Sequence, residues 1–302
     1  MNAKMINEIN SLRREKNAII LAHNYQTTDI IELADFVGDS LQLSIEASKV
    51  EADFIIFCGV RFMAETAAML NPRTKVLMPA LDAGCPMADM VTADQLKKFR
   101  EEHPTAAIVC YVNSSAEVKA ESDICCTSSN AVKVLQSLPK DQAVLFVPDQ
   151  NLGSWAARQA GREIILWDGF CPIHHWGFEI AQVKALRKKY PDHRLIAHPE
   201  CDEGIVEAAD AVMSTGGMLA EAKHHDQLII ATEKGLVDYL IKLYPAKSII
   251  HLNTKAICKN MKKTTLAHVL DALRFEQHQV WVDPEVARRA VQSLQRMLEL
   301  SN

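Results

Sequence analysis

No C-x-x-C pair occurs in this chain of 302 residues, although it holds eight cysteines. That spacing is the signature of zinc ribbons, ferredoxin-type runs and thioredoxin motifs, so all three are excluded. No apolar run approaches the roughly 18 residues of a membrane span. The N-terminal stretch "MNAKMINEINSLRREKNA" is an amphipathic helix pattern without the apolar core of a signal peptide. The expectation is a cytoplasmic protein with no membrane partner. Positive charge is not in excess: 33 Lys and Arg against 38 Asp and Glu leave a net charge of −5. This argues against nucleic acid as a partner, and an anionic substrate would need positive potential made locally. There is also no low-complexity linker, so any subdivisions should pack into one body. In a reducing compartment eight cysteines are expected to stay free thiols, and they exceed what packing needs. A metal site, if present, must gather ligands from distant parts of the chain.

What the sequence does contain is alternation. Short β-branched runs such as "AIILAH", "DFIIFCG", "AAIVCYV", "AVLFVPD", "RLIAHP" and "QLIIATE" are separated by segments with helical spacing of apolar residues. Continuous apolar strands between helices predict parallel sheets covered on both faces. A longer period lies over this one. His23, Tyr111 and His198 end equivalent strands and are separated by 88 and 87 residues. Tyr25, Asn113 and Glu200 follow two residues later with the same spacing. Ser40, Ser128 and Thr215 open helices at 88 and 87, and Cys85, Cys171 and Cys258 recur at 86 and 87. Four landmarks on one period predict three pseudo-symmetric three-layer α/β/α repeats with short parallel sheets around a central site. The expected spans are 1–85, 86–171 and 172–267, with the C-terminal helical segment 268–302 packing on the first. The N-terminal helix is expected to lie outside the repeat.

Ligands of parallel α/β sheets bind at the carboxyl ends of the strands, so the three strand ends should meet at one site. Read as N-caps, Ser40, Ser128 and Thr215 would bring three helix N-termini to an anion carrying several carboxylate or phosphate groups. Any one of these hydroxyls alone would more ordinarily just cap its helix. His23, Tyr25, His198 and Glu200 suit general acid–base work, with Tyr111 and Asn113 completing a polar ring. Cys58 and Cys110 lie inside strand runs, and Cys125, Cys126 and Cys201 fall outside the cysteine period; all five are assigned to packing. Cys85, Cys171 and Cys258 would meet at the axis. Three thiolates suit a [4Fe–4S] cluster with one iron free of protein ligand, or a zinc with an open position. Taken alone, "WDGFCPIHH" would make Cys171 part of a local Cys–His site. The period-mates of His174 are Ala88 and Met261, however, which favours thiolates only and leaves the histidines as pocket residues.

The segments "LAHNYQ", "GDSLQLS", "VRFMAETAAML", "AGCPMADM", "YVNSSAEVKAESDICCTSSNA", "FVPDQNLG", "HPEC", "MSTGGM" and "ATEKG" resemble the quinolinate synthase family over nearly the whole chain. The resemblance implies an iron–sulfur enzyme of NAD biosynthesis that condenses iminoaspartate with dihydroxyacetone phosphate, releasing phosphate and water. An aspartate-oxidising enzyme would supply the iminoaspartate. On the matching positions it implies a [4Fe–4S] cluster on Cys85, Cys171 and Cys258. It further implies substrate binding by His23, Ser40, Tyr111, Asn113, Ser128, His198, Glu200 and Thr215, and proton transfer assisted by Tyr25. Some members carry extra cysteines near the third ligand; none follows Cys258 here. A hydro-lyase with the same three-cysteine cluster and a non-catalytic dicarboxylate sensor are the competing readings.

Overall fold

The apolar runs form twelve short strands. In the first third of the chain these are β1 (Ala18–His23), β2 (Phe36–Gly38), β3 (Phe54–Cys58) and β4 (Lys75–Leu77). The second third holds β5 (Ala107–Tyr111), β6 (Ile124–Cys126), β7 (Val144–Val147) and β8 (Ile165–Leu166). The last holds β9 (Arg194–Ala197), β10 (Ala211–Val212), β11 (Gln227–Ala231) and β12 (Ser248–His251). This computed structural model describes residues 2–301, so the end residues 1 and 302 of the expected spans lie outside it. The strands make three four-stranded sheets, ordered β2-β1-β3-β4, β6-β5-β7-β8 and β10-β9-β11-β12. All strand pairs within the sheets are parallel. Parallel strands need crossover helices, and covering both faces explains why every residue of β3, β5 and β7 is buried. Each sheet reverses strand direction of growth between its first and third strands, which opens a crevice at their carboxyl ends.

One clamp is written three times. Asp35, Asp123 and Asp210 accept from the backbone N–H of Ile20, Ile108 and Leu195 at 2.8, 2.7 and 2.7 Å, pinning the leading strand of each sheet. Arg13, Arg100 and Arg187 pair with the same aspartates at 3.2, 2.9 and 2.9 Å. Each arginine also donates to a backbone carbonyl, of Leu33, Glu121 and Ala208 respectively. Arg13 sits on the N-terminal helix Asn2–Glu15. That helix, expected outside the repeat, is therefore the first copy of the helices Ala93–Glu102 and Ile180–Lys189 that carry Arg100 and Arg187.

The C-terminal segment divides. The helix Leu266–Phe275 begins one period after Ile180–Lys189 and returns to pack on Asn2–Glu15 and β3, closing the ring of repeats. The helix Pro284–Glu299, expected on the first repeat, instead lies mainly against β6 and the helix Ala116–Ala120 of the second. Ser293, fully buried in that contact, donates to the carbonyl of Lys119 and meets the Cys125 thiol at 3.3 Å. Among the described residues, no helix is long and apolar enough to cross a membrane.

Candidate active site

The carboxyl ends of the three sheets face one cavity of about 390 Å³. His23, Tyr25, Ser40, Cys85, Tyr111, Asn113, Ser128, Cys171, His198, Glu200, Thr215 and Cys258 all line it. Each repeat delivers these residues from the same three places: the end of the first strand, the turn or helix start after the second, and the loop after the fourth.

The strand ends set the tautomers of two histidines. His23 Nδ1 accepts from the N–H of Tyr25 at 3.1 Å, and His198 Nδ1 accepts from the N–H of Glu200 at 3.3 Å. A neutral ring with its Nδ1 accepting carries its proton on Nε2, so both rings are neutral donors. Burial, with His198 and Lys262 nearby, pushes His23 down to about 3. Burial likewise takes His198 to about 3, although Glu200 opposes it.

Glu200 is the buried charge of the site. Burial alone would raise its pKa; the neighbouring His198 and His174, with hydrogen bonds from His174 and Tyr111, outweigh that and hold it well below the carboxylate range. Tyr111 Oη donates to Glu200 Oε1 at 2.5 Å, and His174 Nδ1 lies 2.7 Å from Glu200 Oε2. The other His174 nitrogen lies 3.0 Å from Thr232 Oγ1 and 3.3 Å from Tyr25 Oη, and those two hydroxyls meet at 2.6 Å. A continuous carboxylate–imidazole–hydroxyl chain thus runs from Glu200 through His174 to Tyr25. Burial, and then Glu200, push the Tyr25 phenol well above its ordinary value, so it rests protonated.

The helix starts converge, displaced from expectation by one residue in the first and third repeats and by two in the second. The N-caps are Asp39 and Ser214, which accept from Gln42 N and Gly217 N, so Ser40 and Thr215 are first helical residues rather than caps. Ser128 lies in the turn between Thr127 and the helix Ala131–Ser137, whose N-cap is Asn130. Ser129 and Ser214 both donate to Asp39 Oδ2, at 2.8 and 3.1 Å, so one carboxylate joins all three repeats beneath the cavity. A Cβ on Gly216 would fall 2.6 Å from Asp39 Oδ2, which is why that helix start needs glycine.

The three period-related thiols are all lifted by burial: Cys85 to about 12, Cys171 well above its ordinary value, and Cys258 upward. Cys258 further raises Cys85, and Cys85 raises Cys171, so the three share one electrostatic neighbourhood. Such thiols stay protonated without a cation and become ligands with one. The set of three metal-ligating atoms within 4.8 Å of one another among the described residues is Cys171, His174 and Glu200; Cys85 and Cys258 stand outside it.

The model of the family described as "Quinolinate synthetase A protein" matches residues 7–299. A protein named "Quinolinate synthase" from Alkaliphilus metalliredigens is 52% identical over 299 residues, covering 98% of each chain. Proteins of the same name from Methanoregula boonei and Desulforudis audaxviator are 48% and 46% identical, covering 97% and 98% of each chain. The chain belongs to the quinolinate synthase family. It is an enzyme of NAD biosynthesis, with a group of side chains able to bind metal.

For a quinolinate synthase, the site holds residues the sequence reading passed over. His174, set aside because its period-mates cannot ligate, bridges Glu200 and Cys171, whose Sγ is 3.3 Å from its Nδ1. The signal was its place three residues after Cys171. Thr232, at the end of β11, joins the proton chain and had no signal beyond that strand end. Cys125, Cys126 and Cys201 are buried and do not line the cavity.

Proposed function

We propose that this quinolinate synthase condenses iminoaspartate with dihydroxyacetone phosphate, using a [4Fe–4S] cluster held by Cys85, Cys171 and Cys258. The convergence of three period-related thiols and an acid–base ring on one cavity carries this reading. The donor set fits: the thiols are too spread to lie within 4.8 Å as a set, whereas one tetrahedral zinc at about 2.3 Å per bond would draw three sulfurs within about 4 Å. When bound, a cluster with one open iron would supply a Lewis acid for a departing hydroxyl.

The chain's own residues do the rest. His23 and His198 present Nε2–H donors to substrate oxygens, and Ser40, Ser128 and Thr215 with their helix starts receive carboxylate and phosphate. Asn113 Oδ1, buried and unpartnered among the described residues, is an acceptor for a substrate amine or imine N–H. Tyr25 delivers and recovers protons, re-protonated through His174 and Thr232. Glu200 holds the imidazole in the tautomer this requires and keeps Tyr111 oriented.

A single zinc on Cys171, His174 and Glu200 is the second reading, favoured by their proximity. It leaves Cys85 and Cys258 idle and takes the His174 Nδ1 that meets Glu200 and Cys171. Anaerobic iron and sulfide analysis, followed by an assay for quinolinate from the two named substrates, decides. Iron and sulfide in equal amounts with quinolinate formed support the proposal; zinc alone, or no quinolinate, overturns it.

A further inference from the structure

The loops bearing Cys171 and Cys258 are anchored by the same device, and the loop bearing Cys85 is not. The residue capping the helix after the third strand is Asp149 in the second repeat, Glu233 in the third and Val60 in the first. Asp149 and Glu233 are fully buried. Each divides its two oxygens in the same way. Asp149 Oδ1 accepts from Leu152 N at 2.7 Å and Oδ2 from Cys171 N at 3.0 Å. Glu233 Oε2 accepts from Gly235 N at 2.6 Å and Oε1 from Cys258 N at 3.0 Å. One oxygen caps the carboxylate's own helix, and the other holds the backbone of the cysteine itself. Val60 has no side-chain acceptor: the Cys85 loop keeps only the backbone bond that all three loops share, from Arg61 N–H to the Ala83 carbonyl as from Gln150 to Gly169 and from Lys234 to Ala256, and is tied besides from the third repeat by Lys263 on Asp82 at 2.9 Å.

We infer that Asp149 and Glu233 are positioning residues that fix Cys171 and Cys258 as ligands. A Ser or Asn caps a helix with one acceptor, and only a carboxyl group has the second oxygen that reaches the cysteine N–H, so two copies doing the same two tasks are more than caps. In the third repeat the device reaches further. Lys262 Nζ pairs with Glu233 Oε2 at 3.0 Å and donates to the carbonyl of Tyr25. The Cys258 backbone is thereby linked to the Tyr25 backbone across the boundary between the third and first repeats.

The inference rests on the cluster reading for its ligand but not for its geometry. Two near-isosteric variants test it, Asp149→Asn and Glu233→Gln, both prepared as apo and as anaerobically iron-loaded full-length protein. In the apo protein, amide exchange at Cys171 should accelerate in Asp149→Asn alone, and at Cys258 in Glu233→Gln alone. In the loaded protein, iron release to a chelator should quicken about tenfold or more in each, as is usual when the partner orienting a metal ligand is lost. Lys262→Met should lower kcat through Tyr25 while releasing iron more slowly than Glu233→Gln does, and Lys262→Arg should restore kcat. If Asp149→Asn fails to fold, Asp149→Ser keeps the cap and removes the reach to Cys171. Unchanged exchange with unchanged iron release overturns the inference. If the unaltered protein binds no iron or sulfide, the cluster reading fails instead, and the exchange pattern still decides the anchoring.

Discussion

The first and third repeats place a histidine where their leading strand ends, His23 closing β1 and His198 directly after β9, and part company two positions later. His23 and His198 are oriented by the same bond, from the N–H two residues ahead to Nδ1, and both are held neutral. The residue donating that N–H is Tyr25 in one repeat and Glu200 in the other. One is a phenol kept protonated; the other is a carboxylate kept charged. The scaffold thus repeats the means of orientation and leaves the chemistry free to differ at the next outward-facing position. Through His174 the two are joined, so the asymmetry yields one hydrogen-bonded chain rather than two unrelated groups.

The largest effect breaks the comparison at what the repeats share. Cys171→Ala, Cys85→Ala and Cys258→Ala should each reduce bound iron and quinolinate formation to background, equally, as measured anaerobically. A single variant keeping both would separate its cysteine from the set. Next comes the position where the repeats differ. Tyr25→Phe and Glu200→Gln should each lower kcat by about 10²–10⁴, the range of a lost acid–base group, and the double variant should lose less than their product because they act in one chain. Steady-state kinetics reads this; strictly multiplicative losses would unlink them.

Smaller still is the response to pH. Unfolded imidazoles take up protons below their ordinary 6.5, while folded His23 and His198 stay neutral until about 3. The unfolded state therefore binds more protons across this window, and stability falls as pH drops through it. At pH 5 the loss is about 2 kcal/mol per histidine. Urea unfolding at pH 7 and pH 5 measures it, and His23→Gln/His198→Gln should flatten the difference. The smallest effect probes the repeated clamp. Asp35→Ala, Asp123→Ala and Asp210→Ala each strand a strand N–H and should cost about 1–3 kcal/mol. Similar costs in all three would show the repeats equal where they carry no chemistry.

The strand ends and the three cysteines were legible in the sequence because each recurs in all three copies, and a period turns weak signals into one. The same reliance on recurrence hid His174, which has no counterpart in the other repeats and acts because it is unique. Two helix caps were misplaced by one residue, and the third, Asn130 for Ser128, by two, since Asp39, Ser214 and Asn130 are equally good capping residues and only the backbone decides between neighbours. The Arg–Asp clamp shares the period fully. It went unread, and with it the membership of the N-terminal helix, since charged residues at sheet edges look like ordinary solvated surface. The destination of Pro284–Glu299 was beyond sequence logic: its amphipathic stripe says that it covers something, and only the fold says which repeat was left uncovered.

Beneath the cavity, Asp39 takes hydrogen bonds from a serine of each other repeat. Three identical subunits around a rotation axis must bring three identical side chains to such a point: three aspartates would repel, and three serines would leave no charge. Joining the copies in one polypeptide lifts that obligation. Covalent continuity is thus what allows a near-symmetric frame to enclose a floor and a hydrogen-bonded chain in which no two thirds are alike.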